Sequence, residues 1–153
     1  QLKGIKPEKA LFSCICTDLK QVGEYANHIN TPIFKAMKRA LPGPYTFILD
    51  ASKNIPRHFQ SRRKTVGIRV TDHEVPLALV RELGRPILST SLKDDQDVYE
   101  YDPDEIWDNY SKLVDLFLDG GWGGSDPSTI VDFSGGDDEA TILREGLGPI
   151  DIF

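Results

Sequence analysis

A chain of 153 residues, 39% hydrophobic and 27% charged, is long enough to bury one core and has the balance of a globular domain. That excludes a mainly disordered, collagen-like or repeat architecture. No apolar run approaches the ~20 residues of a membrane-spanning helix, so no membrane partner is expected. The formal net charge of −6 is unevenly divided: residues 1–76 carry 13 Lys and Arg against 6 Asp and Glu, residues 77–153 carry 5 against 18. Such asymmetry inside one domain points to a surface that faces a polyanion.

Along the chain, Ala10 to Thr17 is rich in strand formers and reads as a buried strand. Asp18 is a natural N-cap for a helix running to Tyr25 or Ala26. Thr31 as cap and Pro32 at the first helical position open a second helix. Ile33, Phe34, Met37 and Leu41 recur in it at helical spacing, and Pro42-Gly43-Pro44 ends it. Tyr45 to Leu49 and Thr65 to Val70 are strands, separated by a polar loop or short helical turn over Asp50 to Gln60. Pro76 to Leu83 is an amphipathic helix stopped by Gly84. Ile87 to Ser91 reads as a short buried strand, Asp102 to about Tyr110 as a capped helix, and Leu113 to Leu118 as a strand closed by Gly120-Gly121. Ser128 to Phe133 and Ala140 to Arg144 form a last, antiparallel pair joined by Ser134-Gly135-Gly136-Asp137-Asp138. About seven strands interleaved with four helices predict an α/β fold: a twisted open mixed sheet with helices packed on it, in a single domain over residues 1–153.

The two cysteines, Cys14 and Cys16, stand two apart, so on a strand they share a face. They read as small, reduced core residues of a cytoplasmic protein. His28, His58 and His73 lack metal-ligand spacing, so no metal site is expected. The acidic run Asp94, Asp95, Asp97 and the group Asp102, Asp104, Glu105 read as solvating charge and a helix start. Gly120-Gly121-Trp122-Gly123-Gly124 is followed by no Lys-Ser/Thr pair and reads as a surface loop, not a phosphate cradle.

Two features carry chemistry. The first is a basic focus, Arg57, His58, Arg62, Arg63, Lys64 and Arg69. Its run Arg62-Arg63-Lys64 falls on a connection before a strand; it is either a solvated loop or a phosphate-contacting patch. The second is a set of polar clusters at strand ends: Ser89-Thr90-Ser91, Ser128-Thr129, and Arg144-Glu145-Gly146. Ligands of open α/β sheets sit at strand ends, and hydroxyls with a guanidinium suit phosphate oxygens. With Arg69 these clusters make an anion pocket.

Five segments, in this order, resemble the YrdC/YciO family: Leu-Pro-Gly-Pro-Tyr-Thr-Phe-Ile-Leu from Leu41, Val-Gly-Ile-Arg-Val-Thr-Asp-His from Val66, Pro-Ile-Leu-Ser-Thr-Ser-Leu from Pro86, Ser-Thr-Ile-Val-Asp from Ser128, and Thr-Ile-Leu-Arg-Glu-Gly from Thr141. The third and fifth are most similar to the YciO branch. The resemblance implies a concave electropositive cleft binding RNA (double-stranded or tRNA) and/or nucleotide. The alternative it implies is the family's synthase reaction, in which ATP, bicarbonate and L-threonine give threonylcarbamoyl-adenylate and pyrophosphate for tRNA modification. ATP with Mg would then be a substrate, with no tightly bound cofactor. Thr90 and Ser91 match the family's Thr-Ser pair, Ser128 and Thr129 its Ser-Thr segment, and Arg144 its Leu-Arg-x-Gly arginine; all would touch nucleotide or phosphate. Arg69 matches the strand arginine of Gly-x-Arg, as a pocket charge or a structural pair, and Pro42, Gly43 and Thr46 match the Pro-Gly-Pro-x-Thr turn. The chain departs from the synthases in two ways. Their Thr-Ser-Ala-Asn reads Thr90-Ser91-Leu92-Lys93, which replaces an amide by a group with donors only. Their Lys-x-Arg pair and Tyr-Pro-Thr strand have no counterpart in the chain, so the domain is expected to lack its N-terminal part.

Overall fold

The computed structural model describes residues 12–153 except 62, 94–98 and 136–138; Ala10, Leu11, Arg62, most of the acidic run and the middle of the last connection therefore lie outside it. Strand β1 (Ser13–Ile15) leads into helix α1 (Leu19–Tyr25). The Asp18 carboxylate accepts from the Gln21 amide at 2.8 Å, pairing a donor that a first helical turn leaves orphaned. Two residues, β2 (Ala26–Asn27), precede helix α2 (Thr31–Ala40). Here the cap is Asn30, one residue before the expected Thr31: its Oδ1 accepts from the Ile33 amide at 3.0 Å. Asn caps better than Thr, and Pro32 one position further in still falls where no N–H is needed. Strand β3 (Tyr45–Ala51), a 3-10 turn (Arg57–Phe59) and β4 (Thr65–Arg69) follow, then α3 (Glu74–Leu83). Gly84, at φ 63°, caps α3 in the left-handed region that costs glycine little. Strand β5 (Ile87–Ser89), helix α4 (Pro103–Tyr110), β6 (Thr129–Asp132) and β7 (Thr141–Arg144) complete the order.

The strands form one sheet in the order β5-β1-β4-β3-β6-β7, with β2 paired to the end of β3. The pairs β1–β4 and β3–β6 are parallel and the others antiparallel. This is the expected open mixed sheet, and α3 packs against β1. Among the described residues, no helix is long and apolar enough to cross a membrane.

Register separates two faces. Cys14, Ile68, Phe47, Val131 and Ile142 lie in one row across β1, β4, β3, β6 and β7. They join Val22 of α1 and Ile33, Ala36, Met37 and Ala40 of α2 in the core. Burial of each large apolar side chain contributes roughly 1.5–3 kcal/mol. Both cysteines are buried and unbridged. Burial pushes the Cys14 thiol up to about 11 and the Cys16 thiol to about 12, the latter with help from the fields of Cys14, Asp18 and Glu24. The alternate residues Ser13, Gly67, Arg69, Thr46, Ile48 and Ile130 face the other way.

Two strand assignments differ from expectation. Residues 113–118 join no ladder. Leu116 is 71% exposed, and the segment is anchored by Phe117, whose ring meets Trp107 edge-on at 5.2 Å. Its half-buried positions 111, 114 and 117 recur every third residue, a period unlike a strand's. The strand expected over Ile87 to Ser91 stops at Ser89 and is a sheet edge, not buried: Leu88 is 40% exposed. Residues 120–124 form an exposed loop, as expected.

Candidate functional site

The sheet's second face carries a polar hollow. Its floor is Gly67, where a Cβ would come within 3.3 Å of both Ser13 Cβ and Thr46 Cγ2. The missing side chain leaves a depression between those residues. On one side, Ser13 and Ser89 hydroxyls are hydrogen-bonded at 3.0 Å; on the other, Thr46 and Ser128 hydroxyls at 2.9 Å.

Arg144 reaches this face through a β-bulge. Asp132 pairs with Thr141 and Val131 with Ile142, but Ile130 pairs with Arg144, so Leu143 is an extra residue. Strict alternation after core-facing Ile142 would send Arg144 back to the core. The bulge re-aims it instead beside Ser128. There Nε and Nη2 donate to the Ser128 carbonyl at 3.0 and 2.7 Å, Nη2 also to the Ser128 hydroxyl at 3.2 Å, and Nη1 to the Tyr99 hydroxyl at 2.9 Å. Of five guanidinium hydrogens, one on Nη1 is left for a ligand. Gly146 follows for a steric reason: a side chain there would strike the Pro127 and Ser128 backbone that Arg144 uses as acceptor.

Arg69 is in a different state. Its Nε is buried with no hydrogen-bond partner, and no carboxylate lies within ion-pair distance among the described residues. Burial foremost, and then the positive field of Arg144, lower its pKa; only Asp72 opposes them. Two guanidinium groups from strands three places apart thus converge on one hollow without a neutralising anion.

The other candidates divide. Thr129 points to the opposite face: it is fully buried, and its hydroxyl donates to the Gly148 carbonyl at 2.6 Å and accepts from the Gly146 amide at 3.0 Å. It ties the C-terminal turn to the sheet and does not meet the hollow. Thr90 is half-buried and Ser91 exposed, just beyond β5. Lys93 lies with its Nζ 4.6 Å from the centre of the Tyr99 ring, and its backbone bridges Tyr99. Segment 90–99 therefore leaves the β5 edge and comes back to Arg144 through Tyr99. Arg63 and Lys64 are exposed on a tight turn closed by Lys64 N to Ser61 O at 2.9 Å. That turn precedes β4, whereas Arg69 ends it, so basic turn and hollow occupy opposite ends of one strand. The sequence reading left Ser13 and Tyr99 out of the site. Ser13 had a signal, a hydroxyl inside an apolar run; Tyr99, an aromatic in an acidic loop, had none.

A concave polar surface at the strand ends of an open α/β sheet, lined by hydroxyls and unneutralised guanidinium groups, defines a class of anion-binding domain. The family model for Sua5, YciO and YrdC proteins, described as "Telomere recombination", matches residues 1–146, and the chain belongs to that family. Its sequence is 40% identical to YciO of Escherichia coli over 149 residues, covering 96% of this chain and 71% of that protein. The E. coli YciO crystal structure superimposes with a TM-score of 0.89 over 99% of this chain and 73% of that one, at 37% identity. A Chromobacterium violaceum protein named threonylcarbamoyl-AMP synthase is 35% identical over 86 residues, 56% of this chain and 45% of that protein. The fold also matches P. abyssi Sua5 complexed with L-threonine, at TM-score 0.84 and 24% identity, over 95% of this chain and 42% of that one.

Proposed function

We propose that the hollow binds an adenylate-type nucleotide through its phosphates, ATP carrying Mg2+ being the substrate form. The observation that carries this reading is Arg69, a half-buried guanidinium with an orphaned Nε, set beside a second guanidinium. Unneutralised like charges held out of water are unfavourable, and an anion between them removes the penalty. Arg144, pre-oriented by Ser128, offers its remaining Nη1 hydrogen, and the Thr46 and Ser128 hydroxyls lie beside it. The kinship with threonylcarbamoyl-AMP synthase supports the reaction in which the amine of L-threonine takes up the carbon of bicarbonate. The resulting carbamate oxygen bonds to the α-phosphorus of ATP, and pyrophosphate leaves. The residues of the hollow would work by positioning and charge neutralisation. Lys93, where the synthases carry Asn, stands at its Tyr99 rim.

Titration calorimetry with ATP and Mg2+ tests the binding: Arg69→Met and Arg144→Ala are each expected to weaken it at least tenfold, and unchanged affinity would refute the assignment. Pyrophosphate release that requires both L-threonine and bicarbonate tests the reaction, and release independent of threonine would exclude it.

A second reading concerns RNA, double-stranded or tRNA, and rests on the exposed cations Arg63 and Lys64 with the sequence-adjacent Arg62. Shape recognition of an RNA helix needs phosphate contacts and no base-reading motif. Affinity for a duplex RNA is expected to fall steeply with salt, and reversal of the three charges to Glu to flatten that slope. Equal slopes would remove this reading and leave the nucleotide reading intact.

A further inference from the structure

Behind β7, on the helix-covered face and thus away from the hollow, lies a groove of about 690 Å3. Phe133, Ala140, Ile142, Ile150 and Phe153 give it an apolar floor, and Lys35 and Arg39, one turn apart on α2, stand on its wall. Glu139 is the acidic residue of the lining, and no ion pair joins it to either cation among the described residues. The groove opens beside a sheet edge: β7 is outermost, and no described strand pairs with its outer side. Large apolar side chains continue along this edge, with Leu143 56% and Leu147 54% exposed.

An unpaired edge flanked by an apolar groove can accept a further strand. Alternate side chains of that strand would enter the groove, and the rest would stay outside. A five-residue strand spans about 17 Å, enough to run beside the four residues of β7. The two cations without carboxylates select its charge. We propose that the β7 edge and its groove dock an extended polypeptide strand from outside residues 12–153, bearing alternate apolar side chains and acidic residues that meet Lys35 and Arg39. Small amphiphiles would use the groove alone and leave the edge amides unpaired, and a second copy of the chain would make docking self-association.

The test uses the 15N-labelled chain and the probe peptide acetyl-Glu-Val-Thr-Val-Thr-Val-Glu-amide. Its binding is expected to shift the amide signals of residues 31–39 and 141–144 and to slow hydrogen exchange in β7 at least tenfold. Lys35→Glu with Arg39→Glu, both surface changes, should weaken the peptide at least tenfold, as should Lys in place of the peptide's Glu. Shifts confined to the groove without β7 protection, or equal affinity for the Lys peptide, would overturn the proposal. Sedimentation showing the free chain to dimerise through the β7 edge would overturn it in favour of a second copy.

Discussion

The two faces of the sheet are built from the same strands, yet they answer to different physics. On the helix-covered face, Cys14, Ile68, Phe47, Val131 and Ile142 form an unbroken apolar row under α1 and α2. On the other, one residue along each strand, stand Ser13, Gly67, Arg69 and Thr46, with Ser128 and Arg144 beside them. The first face lowers the free energy of the fold. The second holds groups whose interactions are incomplete until an anion arrives. Period-two alternation lets one strand serve both ends without compromise at any single residue.

Substitutions should therefore split by face. Phe47→Ala, at the centre of the apolar row and fully buried, is expected to lower stability by about 3–5 kcal/mol in urea denaturation. A loss below 1 kcal/mol would mean that the row is not the core. Arg69→Met should do the reverse on the open face: stability unchanged or raised by about 1 kcal/mol, because an uncompensated charge leaves a desolvated position, while nucleotide affinity falls. A destabilised Arg69→Met would show that the guanidinium has a structural partner.

The next effect depends on pH. In the unfolded chain the cysteine thiols ionise from near 9, whereas burial holds them neutral to about 11 and 12. Between those values the folded state binds more protons, so stability is full below pH 9 and declines as pH rises through 11 to 12. Urea midpoints for Cys14→Ala with Cys16→Ala should decline less over this range; parallel curves would dismiss the thiols as the cause. The smallest change belongs to the basic turn, where Lys64 sits at φ 60°. Lys64→Gly relieves left-handed strain and should stabilise by about 0.5–1 kcal/mol in the same measurement. Destabilisation there would indicate that the lysine side chain packs.

Much of this organisation is legible along the chain, because it rests on local chemistry. Asp18, Gly84 and Asp102 mark helix ends through hydrogen bonds or φ values that depend on near neighbours. Thr129 was legible as a strand residue but not in its direction: adjacent residues on a strand face opposite ways, so Ser128 meets Arg144 while Thr129 ties down Gly148. The strand expected over Leu113 to Leu118 failed because pairing needs a neighbour with a free edge, which no local pattern encodes. Tyr99 was invisible for a similar reason: its contact with Arg144 spans 45 positions and arises from the path of a loop.

The extra residue in β7 has a consequence for how this strand tolerates change in length. Which side of the sheet receives the last guanidinium is a matter of parity, decided by whether an odd or even number of residues separates it from Ile142. Loss of Leu143 would leave composition and hydrophobic content almost untouched while delivering a cation to the oily side, so a one-codon deletion here is far more damaging than most substitutions at the same place.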